Sequence, residues 1–423
     1  MVKVSFWGGI GVIGSSKILI EQEGWRLLLD LGLDFHPGQG LFRLGVDPRP
    51  KTALADRLRV GDAPAINHVF RTDALRGTSV VGGSDGKTAI CISHGHLDHI
   101  GLIGWVDPAI KIYASPQTIR LIDALRQSGE GFEGGLPQIL PLLDEQELSF
   151  GPFKIRRYPV DHDVIGASGY RIETADGVLA YTGDIRLHGR HPDDSLAFAK
   201  AVRGARALVI EGTTLSFGFT ERNRTEGEVD QLFGQILKET PGLVLFSVYS
   251  RNVERIEAFL ARAQDSHRQL LWPAAMARLF RALGLRDIMA LDEDVRLDDI
   301  KANPRGYGVN LAAEHLPLLL DLPVGPASAY VHANGEPFGV FDPRWNLLQE
   351  WLSFCHTPFW SIGSGGHASP DDLNRLVELI HPDILFPLHS QAPDRLIPPP
   401  GTVRWLPERG GRQFDLAGRE LGT

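Results

Sequence analysis

One stretch of the chain constrains its fold more than any other: Cys91-Ile92-Ser93-His94-Gly95-His96-Leu97-Asp98-His99-Ile100-Gly101. Residues 88–93 are apolar and β-prone and read as a buried strand. The apolar segment Ile100–Val106 that follows can open a helix. The polar cluster therefore falls at a strand-to-helix junction, where α/β proteins place their chemistry. His94 and His96 alternate, so on extended backbone both imidazoles point to one side. Asp98 and His99 are adjacent, point in different directions, and can serve two different metal centres. Imidazole nitrogen with carboxylate oxygen suits Zn²⁺, Mn²⁺ or Fe²⁺. Gly95 gives the backbone room to turn between the first two ligands. A solvated loop needs neither the alternation nor the apolar flanks. The stretch reads as a metal site.

The rest of the composition sets limits on what surrounds that site. A chain of 423 residues has room for two or three domains. Its 47 glycines and 28 prolines suit a loop-rich sheet protein better than a helix bundle. Two cysteines, Cys91 and Cys355, cannot make a disulfide framework, and CxxC spacing is absent. A reducing compartment and a His/Asp metal site follow. The N-terminus runs straight into a strand pattern without signal-peptide character, and no apolar run reaches the length of a membrane span. The expectation is a cytoplasmic protein without a membrane partner. A net charge of −9 does not advertise a nucleic-acid binder, yet a metal-bearing cleft can be locally positive on an acidic protein. The acidic runs 144–147 and 292–299 read as solvated faces.

Taken in order, residues 2–31 read as a three-strand meander, the third strand ending in Asp30. Residues 34–87 read as an irregular excursion with a short helix near 51–60, and His36 and His68 as surface residues. Lys111–Ala114 reads as a strand and Pro116–Gln127 as a helix. A strand over Phe153–Tyr158 delivers His162, and a hairpin over 169–184 ends in Asp184. His188 and His191 read as exposed loop residues. Leu208–Ile210 is a buried strand closed by Glu211. Residues 215–356 change rhythm: strands near 243–247, 270–273 and 328–331 alternate with helices near 226–239, 250–265, 274–283 and 345–354. That alternation predicts a parallel α/β sheet, read as an inserted domain. A Gly-rich turn, Gly363-Ser364-Gly365-Gly366, then presents His367 before a helix over 370–381, and a strand over 384–387 leads to His389.

These motifs resemble a known family. His94-x-His96-x-Asp98-His99, then His162 and Thr182-Gly183-Asp184, is similar to the metallo-β-lactamase superfamily. Glu211, the Gly366-His367-Ala368-Ser369 turn and Leu388-His389 resemble the three motifs of its β-CASP nuclease branch, and specifically the ribonuclease J-like members. The segment Ala333–Phe338 looks like the same relatives, so the resemblance covers nearly the whole chain. Two departures stand out. Ser390-Gln391 occupies the place of an expected Gly-Glu, and the chain ends soon after the third motif.

The resemblance implies an αββα sandwich over 1–214 and 357–423, with a β-CASP α/β domain inserted at 215–356. It implies two divalent ions, zinc or alternatively manganese: His94, His96 and His162 at one, Asp98, His99 and His389 at the other, Asp184 bridging, and Asp30 supporting the ligands from behind. Asp98 and Asp184 count as catalytic, with His367 as general acid and Glu211 orienting it. The turn at Ser364, Gly365, Gly366, Ala368 and Ser369 reads equally as a phosphate site or as a simple tight turn. Arg222 and Arg224 read as backbone-phosphate contacts or as ordinary exposed arginines. The expected activity is hydrolysis of phosphodiester bonds in single-stranded RNA, or DNA, with 5′→3′ exonuclease action foremost and a homodimer as the assembly. Two readings compete: a di-metal hydrolase of a small phosphodiester, thioester or lactone, and a non-catalytic nucleic-acid-binding scaffold.

Overall fold

Alternation along the first strands sets up a layered structure. In Ile18–Gln22 and Trp25–Leu29, the side chains of Ile18, Ile20, Leu27 and Leu29 face one side and those of Leu19 and Leu28 the other, as a period of two requires. All six are buried, so this sheet is covered on both faces. The computed structural model describes residues 1–33, 41–42, 46–217, 224–340, 342–407 and 412–421.

The first sheet has eight strands. Lys3–Phe6, Ile18–Gln22 and Trp25–Leu29 form the antiparallel meander. Thr88–Cys91, Lys111–Ala114 and Ile139–Pro141 continue it in parallel, and Gln413–Asp415 and Glu420–Leu421 close the other edge. The second sheet has seven: Glu147–Phe150, Phe153–Pro159, Ser168–Thr174 and Gly177–Tyr181 run antiparallel, followed in parallel by Ala207–Glu211, Ile384–Leu388 and Val403–Arg404. The sheets meet through an apolar layer in which Phe6 lies 5.1 Å from Phe386 and 6.3 Å from Phe414. Helix Ala53–Val60 covers the outer face of the first sheet, and helices Pro192–Ala201 and Pro370–Ile380 that of the second. The result is an αββα sandwich.

The third sheet has six strands, all paired in parallel. Its central strands Val244–Val248 and Ala329–Ala333 are buried along their whole length, as a parallel sheet covered on both faces requires. Helices Glu226–Glu239, Val253–Asp265 and Ala274–Ala282 pack on one face and Arg344–Phe354 on the other. Its edge strand, Phe359–Ser361, leads directly into the Gly-rich turn. Helix Pro116–Ser128 of the sandwich joins the same core through Leu121, Ala124 and Leu125.

Sequence punctuation fixes several boundaries. Ser115 caps the helix that starts at Pro116, and Thr225 with Glu228 forms a capping box for Glu226–Glu239. The helix expected from residue 250 begins at Val253, because the Asn252 side chain accepts the Arg255 N–H and takes the cap position. His36 and Arg222 lie outside the described residues. No helix among the described residues is long and apolar enough to cross a membrane.

Candidate metal centre

Four strands of the second sheet run in the same direction and end at one edge of the sandwich. His162 follows Phe153–Pro159, Asp184 follows Gly177–Tyr181, Glu211 closes Ala207–Glu211, and His389 follows Ile384–Leu388. Register brings the last two together, since Glu211 pairs with Leu388. Across the layer, Thr88–Cys91 leads into the loop that carries His94 and His96, and the short helix Leu97–Ile100 that follows carries Asp98 and His99. Residues remote in the chain thus converge because they sit at strand ends.

Two groups of donor atoms share Asp184. In the first, His96 Nδ1 lies 3.0 Å from His94 Nε2 and 3.3 Å from His162 Nε2. Asp184 Oδ2 is 3.7 Å from His94 Nε2 and 3.9 Å from His162 Nε2. In the second, His389 Nε2 is 3.0 Å from Asp98 Oδ2, and Asp184 Oδ2 is 3.3 Å from His99 Nε2 and 3.6 Å from His389 Nε2. Donors about 2.1 Å from one ion stand about 3.0 Å apart at a right angle and about 3.4 Å apart at the tetrahedral angle. The spacings of 3.0–3.3 Å fall in that range, and those of 3.6–3.9 Å, all to Asp184, exceed it by up to about 0.5 Å. Asp184 Oδ2 and His99 Nε2 are buried without a hydrogen-bond partner, which a buried polar atom tolerates poorly unless something binds there. The donor set fits two divalent ions.

Hydrogen bonds behind these side chains decide which nitrogen faces inward. Asp30, held at φ +60°, accepts from Ser93 N (2.6 Å), Ser93 Oγ (2.7 Å), Tyr181 Oη (2.6 Å) and His99 Nδ1 (2.8 Å). That bond puts the His99 proton on Nδ1 and leaves a lone pair on Nε2. His162 Nδ1 donates to the Gly366 carbonyl at 2.6 Å. His389 Nδ1 meets Thr213 Oγ1 at 2.7 Å, and His94 Nδ1 meets Ser93 Oγ at 3.0 Å.

Electrostatics point the same way. Burial holds His94 and His96 below the usual imidazole value and His162 at about 4, the neutral form that binds metal. Burial also opposes charge on His99, but Asp184, Asp98 and Asp30 outweigh it and hold its pKa well up. Those carboxylates call for a cation.

Beside Asp184 stands a second pair. His367 Nδ1 is 3.4 Å from Glu211 Oε2 and 3.8 Å from Asp184 Oδ2. Burial pushes the imidazole down, but Glu211 and then Asp184 raise it to about 9. Glu211 is itself fixed by the N–H of Thr213 at 2.8 Å and of Ala368 at 3.3 Å. Glu211, His367 and His389 also converge as a third donor group.

The Gly-rich turn is only partly free. The Gly365 carbonyl accepts from His188 Nε2 (3.0 Å) and Arg186 Nη1 (3.1 Å). The Ser364 hydroxyl donates to the Arg224 carbonyl, Ala368 N–H donates to Ile185, and Ser369 caps the helix Pro370–Ile380. The N–H groups of Gly365 and Gly366 have no acceptor among the described residues. Arg224 itself is exposed, and Gly366 cannot be replaced freely, because a Cβ there would lie 2.7 Å from Asp163 Cγ.

His188, expected to be exposed, is buried under this turn because its ring supports Gly365. His191 is exposed and pairs with Glu254. Sequence reasoning also missed a buried arginine system. Arg186, two residues past Asp184, donates to the His162 carbonyl and to Glu226. Arg255 donates to Glu226 and to the Ser364 carbonyl, and Arg251 to the Gly95 carbonyl at 2.6 Å. Arg251 and Arg255, at the start of helix Val253–Asp265, thereby tie the third sheet's layer to both the His94–His99 loop and the Gly-rich turn. The one-turn spacing of Arg251 and Arg255 was the available signal, but exposed helix pairs share it.

Residues 81–240 match the metallo-β-lactamase superfamily model. The chain is 25% identical to ribonuclease J of Mycoplasma pneumoniae, over 92% of this chain and 68% of that one. It is 22% identical to ribonuclease J of Pyrococcus abyssi, over 92% and 90%. A crystal structure of a protein of unknown function from Enterococcus faecalis V583 superposes with a TM-score of 0.82 at 26% identity, covering 98% of this chain and 99% of that one. Over residues 81–240 the chain is similar to the metallo-β-lactamase superfamily, and over most of its length it is similar to these ribonuclease J relatives.

Proposed function

We propose that the protein is a metal-dependent ribonuclease that hydrolyses phosphodiester bonds of single-stranded RNA at the Asp184 cluster. The observation that carries this reading is the shared Asp184 oxygen between two donor groups, with the His367–Glu211 pair alongside. The relatives named ribonuclease J support RNA as the polymer.

His94, His96 and His162 would hold the first ion, Asp98, His99 and His389 the second, and Asp184 would face both. Two divalent ions, zinc in our reading with manganese as the alternative, would supply positive charge at the phosphate and lower the pKa of a nucleophilic water. The protein's own groups do the rest. Asp30 locks the His99 tautomer. His367 delivers a proton to the departing oxygen, and the Glu211 carboxylate, 3.4 Å from His367 Nδ1, orients the ring and keeps the imidazole protonated beforehand. Such a proton donor suits an alkoxide leaving group, which needs protonation more than a thiolate does. The free N–H groups of Gly365 and Gly366 lie next to His367 and suit phosphate oxygens. A terminal 5′-phosphate seated there makes 5′→3′ exonucleolytic cleavage the favoured mode, and the two free cysteines favour the cytoplasm.

The test is a product ladder. Internally labelled single-stranded RNA, and DNA of the same sequence, each with a 5′-monophosphate or a 5′-hydroxyl, are incubated with protein and Zn²⁺ or Mn²⁺, with Asp184→Ala as control. Mononucleotides from 5′-phosphorylated RNA, absent in the control, are the expected result. Internal fragments would make the enzyme an endonuclease. No cleavage by metal-loaded protein would sink the nuclease reading in favour of a small-ester hydrolase, and failure to take up metal would favour a scaffold.

A further inference from the structure

We propose that Asp163 is a positioning residue for His96: its carboxylate accepts the His96 Nε2–H and so holds Nδ1 toward the first metal position. The proposal rests on the metal-centre reading above. It starts from an asymmetry among five imidazoles. His94, His99, His162 and His389 each have the outward nitrogen engaged, by Ser93, Asp30, Gly366 and Thr213 respectively. His96 is turned the other way, with Nδ1 inward, 3.0 Å from His94 Nε2 and 3.3 Å from His162 Nε2. Its outward nitrogen, Nε2, is buried and has no hydrogen-bond partner. Asp163 Oδ1 is likewise buried and without one, and the two atoms are 3.5 Å apart.

The proton inventory pairs them. A lone pair on inward-facing Nδ1 requires the His96 proton on Nε2. Asp163 Oδ1 also lies 3.4 Å from His162 Nε2. That nitrogen has no proton to give, because the His162 Nδ1–H donates to the Gly366 carbonyl at 2.6 Å. Of these two neighbours, only His96 can donate to the carboxylate. A shift of a few tenths of an ångström closes the pair to hydrogen-bond length, about 3 Å.

The surroundings allow that closure and little else. Tyr249 packs edge-on against the His96 ring at 5.3 Å, and Arg251 holds the preceding Gly95 carbonyl. Gly366 lies against the carboxylate, where a Cβ would come within 2.7 Å of Cγ, 2.8 Å of Oδ1 and 2.9 Å of Oδ2. Asp163 follows His162 directly, so one short segment contributes a ligand and the support for another.

Removing such a support costs about 10–100-fold in metal affinity. The experiment is a competitive zinc titration of the full chain against a chromophoric chelator, for wild type, Asp163→Ala and Asp163→Asn, with the visible spectrum of the Co²⁺-loaded proteins as a second readout. Two zinc ions in the wild type, a 10–100-fold loss at one site in Asp163→Ala, and a smaller loss in Asp163→Asn are expected, because an amide oxygen still accepts the N–H. The Co²⁺ band shape should stay the same, since no ligand is lost. Unchanged zinc affinity at both sites in Asp163→Ala would overturn the proposal. So would a changed cobalt coordination spectrum, which would make Asp163 a ligand. If Asp163→Ala does not fold, Asp163→Leu, which fills the space but offers no acceptor, carries the same comparison. A wild-type protein that takes up no zinc would instead overturn the metal-centre reading beneath it.

Discussion

Glu226 offers the sharpest stability prediction. Its carboxylate is 1% exposed and is held between two guanidinium groups that are themselves buried. Oε1 accepts from Arg255 Nη2 at 2.6 Å and Arg186 Nη1 at 2.9 Å, and Oε2 from Arg255 Nε at 3.0 Å. Burial alone would raise its pKa; Arg255 first and then Arg186 outweigh burial and hold it at about 2, against an ordinary value of 4.5. That difference corresponds to roughly 3 kcal/mol, in line with the 3–5 kcal/mol usual for breaking a buried ion pair from one side. The folded-state value is depressed, so the contribution is complete above the unfolded pKa near 4.5 and is lost as pH falls toward 2. Glu226→Gln should therefore unfold at lower urea, with a deficit of about 3 kcal/mol at pH 7 that narrows to about 1 kcal/mol at pH 3. Urea titrations followed by tryptophan fluorescence at both pH values measure it. A deficit under about 0.5 kcal/mol at pH 7, or one that does not change with pH, would refute the ion-pair reasoning.

Three further outcomes follow from the site. Asp30→Ala leaves the Ser93, Tyr181 and His99 donors without their acceptor. It should cost about 3 kcal/mol or more and release the ion at the Asp98 position, read by thermal unfolding and metal analysis. Glu211→Gln should lower the RNA cleavage rate about 10²-fold or more while metal content stays at the wild-type level, because the change touches His367 and no ligand of the two main groups. Chelation should lower the unfolding temperature, and zinc at about 100 times its dissociation constant should restore about 2.7 kcal/mol per ion.

The candidate metal-binding residues were legible because each belongs to a short local pattern: a strand, a turn, and a His or Asp at its end. The chain needs only the sandwich to bring those ends together, and apolar alternation specifies the sandwich. Glu211 and His367 were legible through resemblance, since an acid closing a strand and a histidine after glycines have several ordinary explanations. The arginine system was not legible. Arg186 and Arg255 meet Glu226 from 40 and 29 residues away, and nothing local separates them from solvated charges. His188 was misread for a related reason, because the carbonyl that buries it comes from Gly365. The Gly-rich turn showed its shape in the sequence, but which N–H groups stay free depends on Ile185, Glu211 and the helix cap.

The most direct measurement is anomalous diffraction at the zinc absorption edge from crystals of the zinc-loaded protein. Two peaks are predicted: one among His94, His96 and His162, the other among Asp98, His99 and His389, with Asp184 facing both. A single ion would contradict the two-ion assignment, and a peak among Glu211, His367 and His389 would also remove His367 as the proton donor.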